Sequence, residues 1–408
     1  MTSYTRTRTA RQLYAWVLMA AAVAVLIFGS ANADVNRDSE TRVEAFSYEV
    51  NGRTVFLGNL AGEITLSAAR GDEVEVTATV VAGGRDARDN LALVSFEDET
   101  KNGRLVLRTL YPTDEYDTYL YDRDGRGSSR TSFRYNGEKV VVGHGRRVRD
   151  GIELHVDYDI KLPVGVNFIV NNGMGQITAE GIDGEFHLKN KSGPVSASNT
   201  AGTIKLDTGS GSITGVQHRG DLVADSGSGR VKISDVSGNV LADTGSGSIT
   251  ADNVGGELRA DTGSGSVQAR NVQGEVFVDT GSGRVTLNDV GGSLSVDTGS
   301  GSIDVEDWRG GDELELDTGS GSVSVRGNFA NVDRLRVDTG SGSVSLVSST
   351  VPNMKLNVSA RPGIDVDFPD MTDVKKSRSS FRGTIGAGSG SGEIDTGSGK
   401  VSFRLEAL

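Results

Sequence analysis

Nine aspartates head one short motif, Asp-[Thr/Ser]-Gly-Ser-Gly, at Asp207, Asp225, Asp243, Asp261, Asp279, Asp297, Asp317, Asp338 and Asp395. A carboxylate recurring beside glycines and hydroxyls has two natural uses. It can accept the backbone N–H groups of its own turn as an Asx-turn. It can also join turn carbonyls in binding calcium, a cation that takes roughly six to eight oxygen ligands. One carboxylate per repeat is sparse for that ion, so the turn role is the expectation. The first eight aspartates stand as the calcium candidates, and no other cofactor is expected.

A second group, Asp304, Glu306 and Asp307 beside Trp308, has the ingredients of glycoside hydrolysis, in which one carboxyl acts as acid and another as base or nucleophile. It lies on the repeat where the spacing first lengthens. A solvated acidic face next to a core tryptophan is the plainer reading, and no catalytic residue is assigned. The histidines, His144, His155, His187 and His218, show no metal-binding spacing. His155, Asp157 and Asp159 share one strand face, which reads as solvated surface. Tyr111, Tyr116, Tyr119, Tyr121 and Tyr135 crowd a polar stretch, where exposed rings could stack on sugars or pack on a protein partner.

The scaffold follows from the spacing. Five successive intervals between the aspartates are 18 residues, the next two are 20 and 21, and the last is 57, which reads as three repeats of 19. Degenerate copies at Asn171-Asn172-Gly173-Met174-Gly175, at Asn190-Lys191-Ser192-Gly193-Pro194 and from Ser359 to Gly363 extend the array to about 11–12 repeats of 18–21 residues. Within a repeat the apolar residues alternate, as in Val276, Val278, Val285, Leu287 and Val290 around Asp279. Period two marks half-buried strands, and Gly-Ser-Gly with a later glycine pair marks two turns. Each repeat is thus two short strands and two corners.

An isolated repeat buries too little apolar surface to offset the entropy of fixing its backbone. Stacking repeats in parallel, about 4.8 Å apart, merges their interiors. The expected fold is therefore all-β, a parallel β-solenoid or β-helix. Parity turns Thr208, Thr244, Thr262 and Thr280 inward and leaves the aspartates in an outer row, with Lys205, Arg259 and Arg336 on the same face as partial screening.

Arg6, Arg8 and Arg11 precede an apolar run ending near Phe28, and Ala31-Asn32-Ala33 supplies a cleavage site, so residues 1–33 read as a secretory signal peptide. Its removal leaves 39 basic against 55 acidic groups, a net charge of −16, which excludes a nucleic-acid partner on electrostatic grounds. No membrane span is expected after cleavage. Residues 34–165 are expected to form a β-rich N-terminal cap, in which Leu60 to Ile64 is a divergent first repeat and 111–149 is a long Tyr-, Asp- and Gly-rich loop. Residues 166–380 hold the repeats, and 381–408 the last coils and a C-terminal cap. Caps are needed because open strand edges recruit other chains.

The strand Glu153 to Lys161, the turn Leu162-Pro163-Val164-Gly165-Val166, Gly175-Gln176-Ile177-Thr178-Ala179 and the reiterated Thr-Gly-Ser-Gly-Ser-Ile/Val segments resemble the DUF4097 family of adhesin-like bacterial envelope proteins with repeating β-strands. The resemblance spans roughly residues 45–405 and implies a solenoid fold and an envelope location, periplasmic or at the cell surface. It brings no catalytic residues. The functional expectation is a non-catalytic exported protein presenting side-chain ladders to an envelope protein or glycan. The alternatives are a polysaccharide-acting β-helix enzyme and a calcium-binding structural module.

Overall fold

The computed structural model describes residues 39–121, 129–145 and 151–406, so the signal-peptide segment lies outside the described residues. The all-β expectation holds. Strands join in a mostly parallel sheet, and Ala87–Leu91 is the one short helix among the described residues.

Sequence period and strand pairing coincide. Val240–Thr244 pairs in parallel with Leu258–Thr262 one repeat later, and Ile249–Val254 with Val267–Val272. Asp243 therefore faces Asp261, and Thr244 faces Thr262. Val240, Ala242, Thr244, Ile249, Ala251 and Val254 are buried, while Leu241 and Asp243 are exposed. A slip of one residue would exchange these faces, so the buried set fixes the register.

The second corner of each repeat has its own residue type. Asn199, Gln217, Asp235, Asn253, Asn271, Asp289 and Asp307 all adopt left-handed backbone, with φ between 51° and 59°. Asparagine and aspartate tolerate that conformation better than other non-glycine residues. Their side chains also connect: Asn253 Nδ2 donates to Asp235 Oδ1 at 2.7 Å, and Asn271 Nδ2 to Asn253 Oδ1 at 2.9 Å.

Strand order departs from chain order at both ends. Thr54–Ala61 pairs in parallel with Val166–Met174, and the N–H of Gly62 donates to the Met174 carbonyl at 2.9 Å, so Leu60 to Ile64 lies one level before Met174 in the stack. Arg104–Leu110 then adds in parallel outside Thr54–Ala61. Antiparallel strands border this end: Ser95–Lys101 lies on Arg104–Leu110, while Ser39–Glu49 lies on Glu73–Gly83, which lies on Ile152–Leu162.

At the far end Gly390–Leu405 runs in parallel between the pair Arg334–Thr339 and Val344–Ser348 on one side and Met354–Asp367 on the other. Antiparallel Ser380–Ile385 and Thr372–Lys376 follow. The interval of 57 residues is therefore not three repeats. Asp395 stands in register with Asp338, and Ser359 lies beyond it against Asp395. Residues 381–408 likewise divide, with Ser380–Ile385 in the antiparallel border and Gly390–Leu405 inside the parallel stack. Inserted there, Ile394, Val401 and Phe403 are buried on both sides. Phe403 joins an aromatic row, 5.3 Å from Phe329 and 4.7 Å from Phe368 between ring centroids.

Two further expectations need correction. The upstream copy begins one residue earlier than the motif suggests, because Lys189 aligns with Asp207 and Asn190 with Thr208. Residues 111–149 are not a long loop: Thr118–Tyr121, Ser129–Tyr135 and Glu138–His144 are strands, the last two joined by a tight turn at Asn136 (φ 48°) and Gly137 (φ 93°). They form a small side sheet that also pairs with Ile152 and Glu153. No helix among the described residues is long and apolar enough to cross a membrane.

Candidate functional site

The repeat corner is organised by threonine. Thr262 is fully buried; its hydroxyl donates to the Gly247 carbonyl at 2.9 Å and accepts the N–H of Gly265 at 3.1 Å. Thr244, Thr280, Thr298, Thr318 and Thr339 repeat both bonds, and Ser226 makes them with a serine hydroxyl. In the degenerate copies asparagine fills the slot: Asn190 Nδ2 donates to the Gly175 carbonyl at 2.6 Å, and Asn172 Nδ2 to Gly62 at 3.0 Å.

The glycines are required by space. A Cβ on Gly265 would sit 1.7 Å from the Gly247 carbonyl oxygen, and one on Gly247 would sit 1.8 Å from that of Gly229. Corners stack with no room for a side chain.

This arrangement corrects the Asx-turn expectation, since threonine Oγ1 takes the corner N–H. The aspartates are left pointing outward. Asp207, Asp225, Asp243, Asp261, Asp279, Asp297, Asp317, Asp338 and Asp395 form one unbroken row in register. An exposed serine lies three residues after each, from Ser210 to Ser398. Like charges at strand spacing repel by ~1 kcal/mol per neighbour in water. Asp243 accordingly titrates above the usual carboxylate range, through partial burial first and then its neighbours Asp261 and Asp225. Asp317 is raised in the same way, by burial and then by Asp338 and Asp297.

Two of the expected screening cations pair with other acids, although Arg336 still offsets part of the rise at Asp317. Arg259 pairs with Glu257 and lies 4.2 Å over the Phe277 ring, and Arg336 pairs with Glu315. Among the described residues the row meets a direct cation pair only at its head, where Lys189 lies 2.9 Å from Asp207. The calcium candidates are brought into line, one per repeat, and no group of three or more His, Asp or Glu among the described residues is placed to hold a metal ion.

Two of the three carboxylates around Trp308 have structural partners or positions. Trp308 is buried, donates its indole N–H to the Gly292 carbonyl at 3.0 Å and packs edge-on against Phe329. Glu306 pairs with Arg326 at 3.3 Å, and Asp307 belongs to the left-handed corner series. His155 lies 3.7 Å from Asp157, whose carboxylate accepts the N–H of Glu63.

Of the candidate tyrosines, Tyr111, Tyr119 and Tyr135 are buried, and Tyr116 and Tyr121 half-buried. Tyr111 donates to Asn59 Oδ1 at 3.0 Å, and Tyr135 to the Thr109 carbonyl at 2.6 Å. Burial pushes the phenols of Tyr111, Tyr119 and Tyr135 upward, so they stay protonated. The Tyr135 bond ties the side sheet to the first repeats, whereas the Tyr119 hydroxyl is buried without a hydrogen-bond partner among the described residues. Phe56, unremarked in the sequence, and Phe133, one more aromatic of the 111–149 stretch, matter instead. These rings line a concave site with Tyr135 where the side sheet meets the stack.

A threonine-glycine corner repeated in register, with aspartate outside it, is the signature that the comparison with known families can test. Residues 216–331 match the family model Toastrack DUF4097. The DUF4097 segment contains the row from Asp225 to Asp317, and the resemblance drawn from the repeats holds over it. A crystal structure of a "putative cell adhesion protein from Clostridium sporogenes ATCC 15579" aligns with a TM-score of 0.16 and 10% sequence identity, over 90% of this chain and 100% of that one. So loose a superposition carries no argument about this chain. No curated protein matches it.

Proposed function

We propose that the chain is an exported, non-catalytic envelope or surface protein whose repeats wind as a parallel β-solenoid and whose outer rows of identical side chains engage an envelope protein or glycan. In this reading residues 34–165 close the N-terminal end, and the antiparallel strands around Met354–Asp367 close the other. The signal-like segment 1–33 supplies export to the periplasm or cell surface.

The observation that carries the reading is the aspartate row. Nine carboxylates kept in line oppose one another, and the corner they flank takes its hydrogen bonds from threonine. The row therefore costs stability without serving the turn. A recurrent, outward, self-repelling feature is what a partner bearing repeated hydrogen-bond donors or cations would select.

Replacing Asp243, Asp261 and Asp279 by asparagine relieves the repulsion, so this variant keeps its fold. Immobilised intact chain should retain a defined partner from envelope extracts, and the triple variant should lose it. Equal recovery by both would contradict the proposal.

A further inference from the structure

The hairpin Ser129–Tyr135 and Glu138–His144 leans over the first repeats and borders an open cavity of about 290 Å³. Five separate segments contribute to its wall. Phe56, Phe133 and Tyr135 supply ring surface; Asn136 and Asn171 supply amides; Arg108, Arg134, Lys189 and Lys191 supply positive charge. No carboxylate among the described residues lines it. In a chain whose formal net charge is −13, that concentration of cations is local and against the average.

The row geometry places this cavity at the head of the aspartate row. Asn171, Lys189 and Asp207 occupy one outer slot in consecutive repeats, so the slot changes from negative to positive as it enters the cavity. Lys189 is held toward Asp207 and Arg108 toward Glu99. Among the described residues Arg134 donates only to the Gly137 carbonyl of its own turn, and Lys191 makes no ion pair. Both are exposed and available to an anion.

Glycine makes room for the rings. A Cβ at Gly173 would lie 2.1 Å from the Phe133 ring, and one at Gly58 would touch Phe56 at 3.5 Å. Both rings thus lie close against bare backbone, where they form flat apolar surface beside the amides and cations.

We infer that this cavity binds a short carboxylated saccharide. The ring faces suit the C–H face of a sugar. The amides suit its hydroxyls, and Arg134 with Lys191 suits its carboxylate, arginine as a two-pronged donor and lysine as a point charge. An acidic peptide would meet the cations equally well but would leave the ring and amide pairing unused. The site is separate from the aspartate row, and its ligand need not be the partner proposed for that row.

Trigalacturonate and sialyllactose, titrated into the intact chain and followed by saturation-transfer NMR and calorimetry, test this directly. At least one should bind saturably, with sugar C–H protons receiving saturation, while neutral galactobiose does not. Lys191→Ser and Arg134→Ser should each weaken binding about tenfold. Phe133→Leu should weaken it similarly, and an unchanged circular dichroism melt would show that each variant folds. Binding of neither sugar overturns the inference. So does binding that all three variants leave intact, or hexaglutamate binding as tightly as the sugars.

Discussion

The hydroxyl of Thr262 reaches back one repeat to the carbonyl of Gly247, 2.9 Å away. The same oxygen accepts the N–H of Gly265, so one buried atom ties a corner to itself and to its predecessor. The aspartate row lies just outside these corners, in register through the same strand pairing.

Thr262→Val keeps the shape and removes both bonds, leaving a buried N–H and a buried carbonyl short of a partner. It should destabilise the chain by about 1–3 kcal/mol in chemical denaturation. Thr262→Ser should cost less, because Ser226 already makes the same two bonds.

Asp243→Asn should raise the thermal midpoint at neutral pH. Partial burial first, and then Asp261 and Asp225, hold this carboxyl above its ordinary value in the folded state, so the ionised form destabilises the fold at neutral pH, and the penalty fades as pH falls through the raised value. Added salt screens the row, so the variant's advantage should shrink at high ionic strength. A midpoint that falls, or does not respond to salt, would contradict the repulsive reading.

His218 acts in the opposite direction. It is buried between Thr200, 2.9 Å from Nδ1, and the Asp221 carbonyl, 3.1 Å from Nε2. Burial lowers its value below the ordinary 6.5. Unfolded chain then binds the proton first, so stability is full above pH 6.5 and declines as pH falls below it. Thermal melts from pH 8 to pH 5 should show that decline, partly removed in His218→Gln. His187, also lowered by burial and by Lys205, adds to it.

Removing residues 34–160 strips Thr54–Ala61 from Val166–Met174 and exposes a parallel edge. The truncated chain should multimerise in light scattering, whereas the intact chain should not.

The repeat was legible because its cause is local. Alternation around each Asp-Thr-Gly-Ser-Gly sets which side chains face inward, and the 18-residue period sets the partner. Asp395 was misplaced because spacing along the chain cannot show that Gly390–Leu405 inserts ahead of Met354–Asp367. Insertion is decided by which edge buries Ile394 and Phe403. The tyrosine segment was misread for a different reason: its polar residues hid a usable signal, Asn136-Gly137 between Tyr135 and Glu138, the same tight-turn pair seen at Asn51-Gly52 and Asn102-Gly103. The cavity beside it was not legible, since Phe56, Phe133 and Lys191 come together only when the hairpin folds over the stack.

The chain has no cysteine, so paired cysteines for spin labels can be introduced without background. Gln268, Asp304 and Ser345 occupy the same outer slot as Thr214, three, five and seven levels along. Labelled in pairs with Thr214 and measured by double electron–electron resonance, they should give backbone separations of about 14, 24 and 34 Å, a straight line at ~4.8 Å per repeat. Distances that level off, or that do not rise with repeat number, would contradict a single stack of parallel repeats.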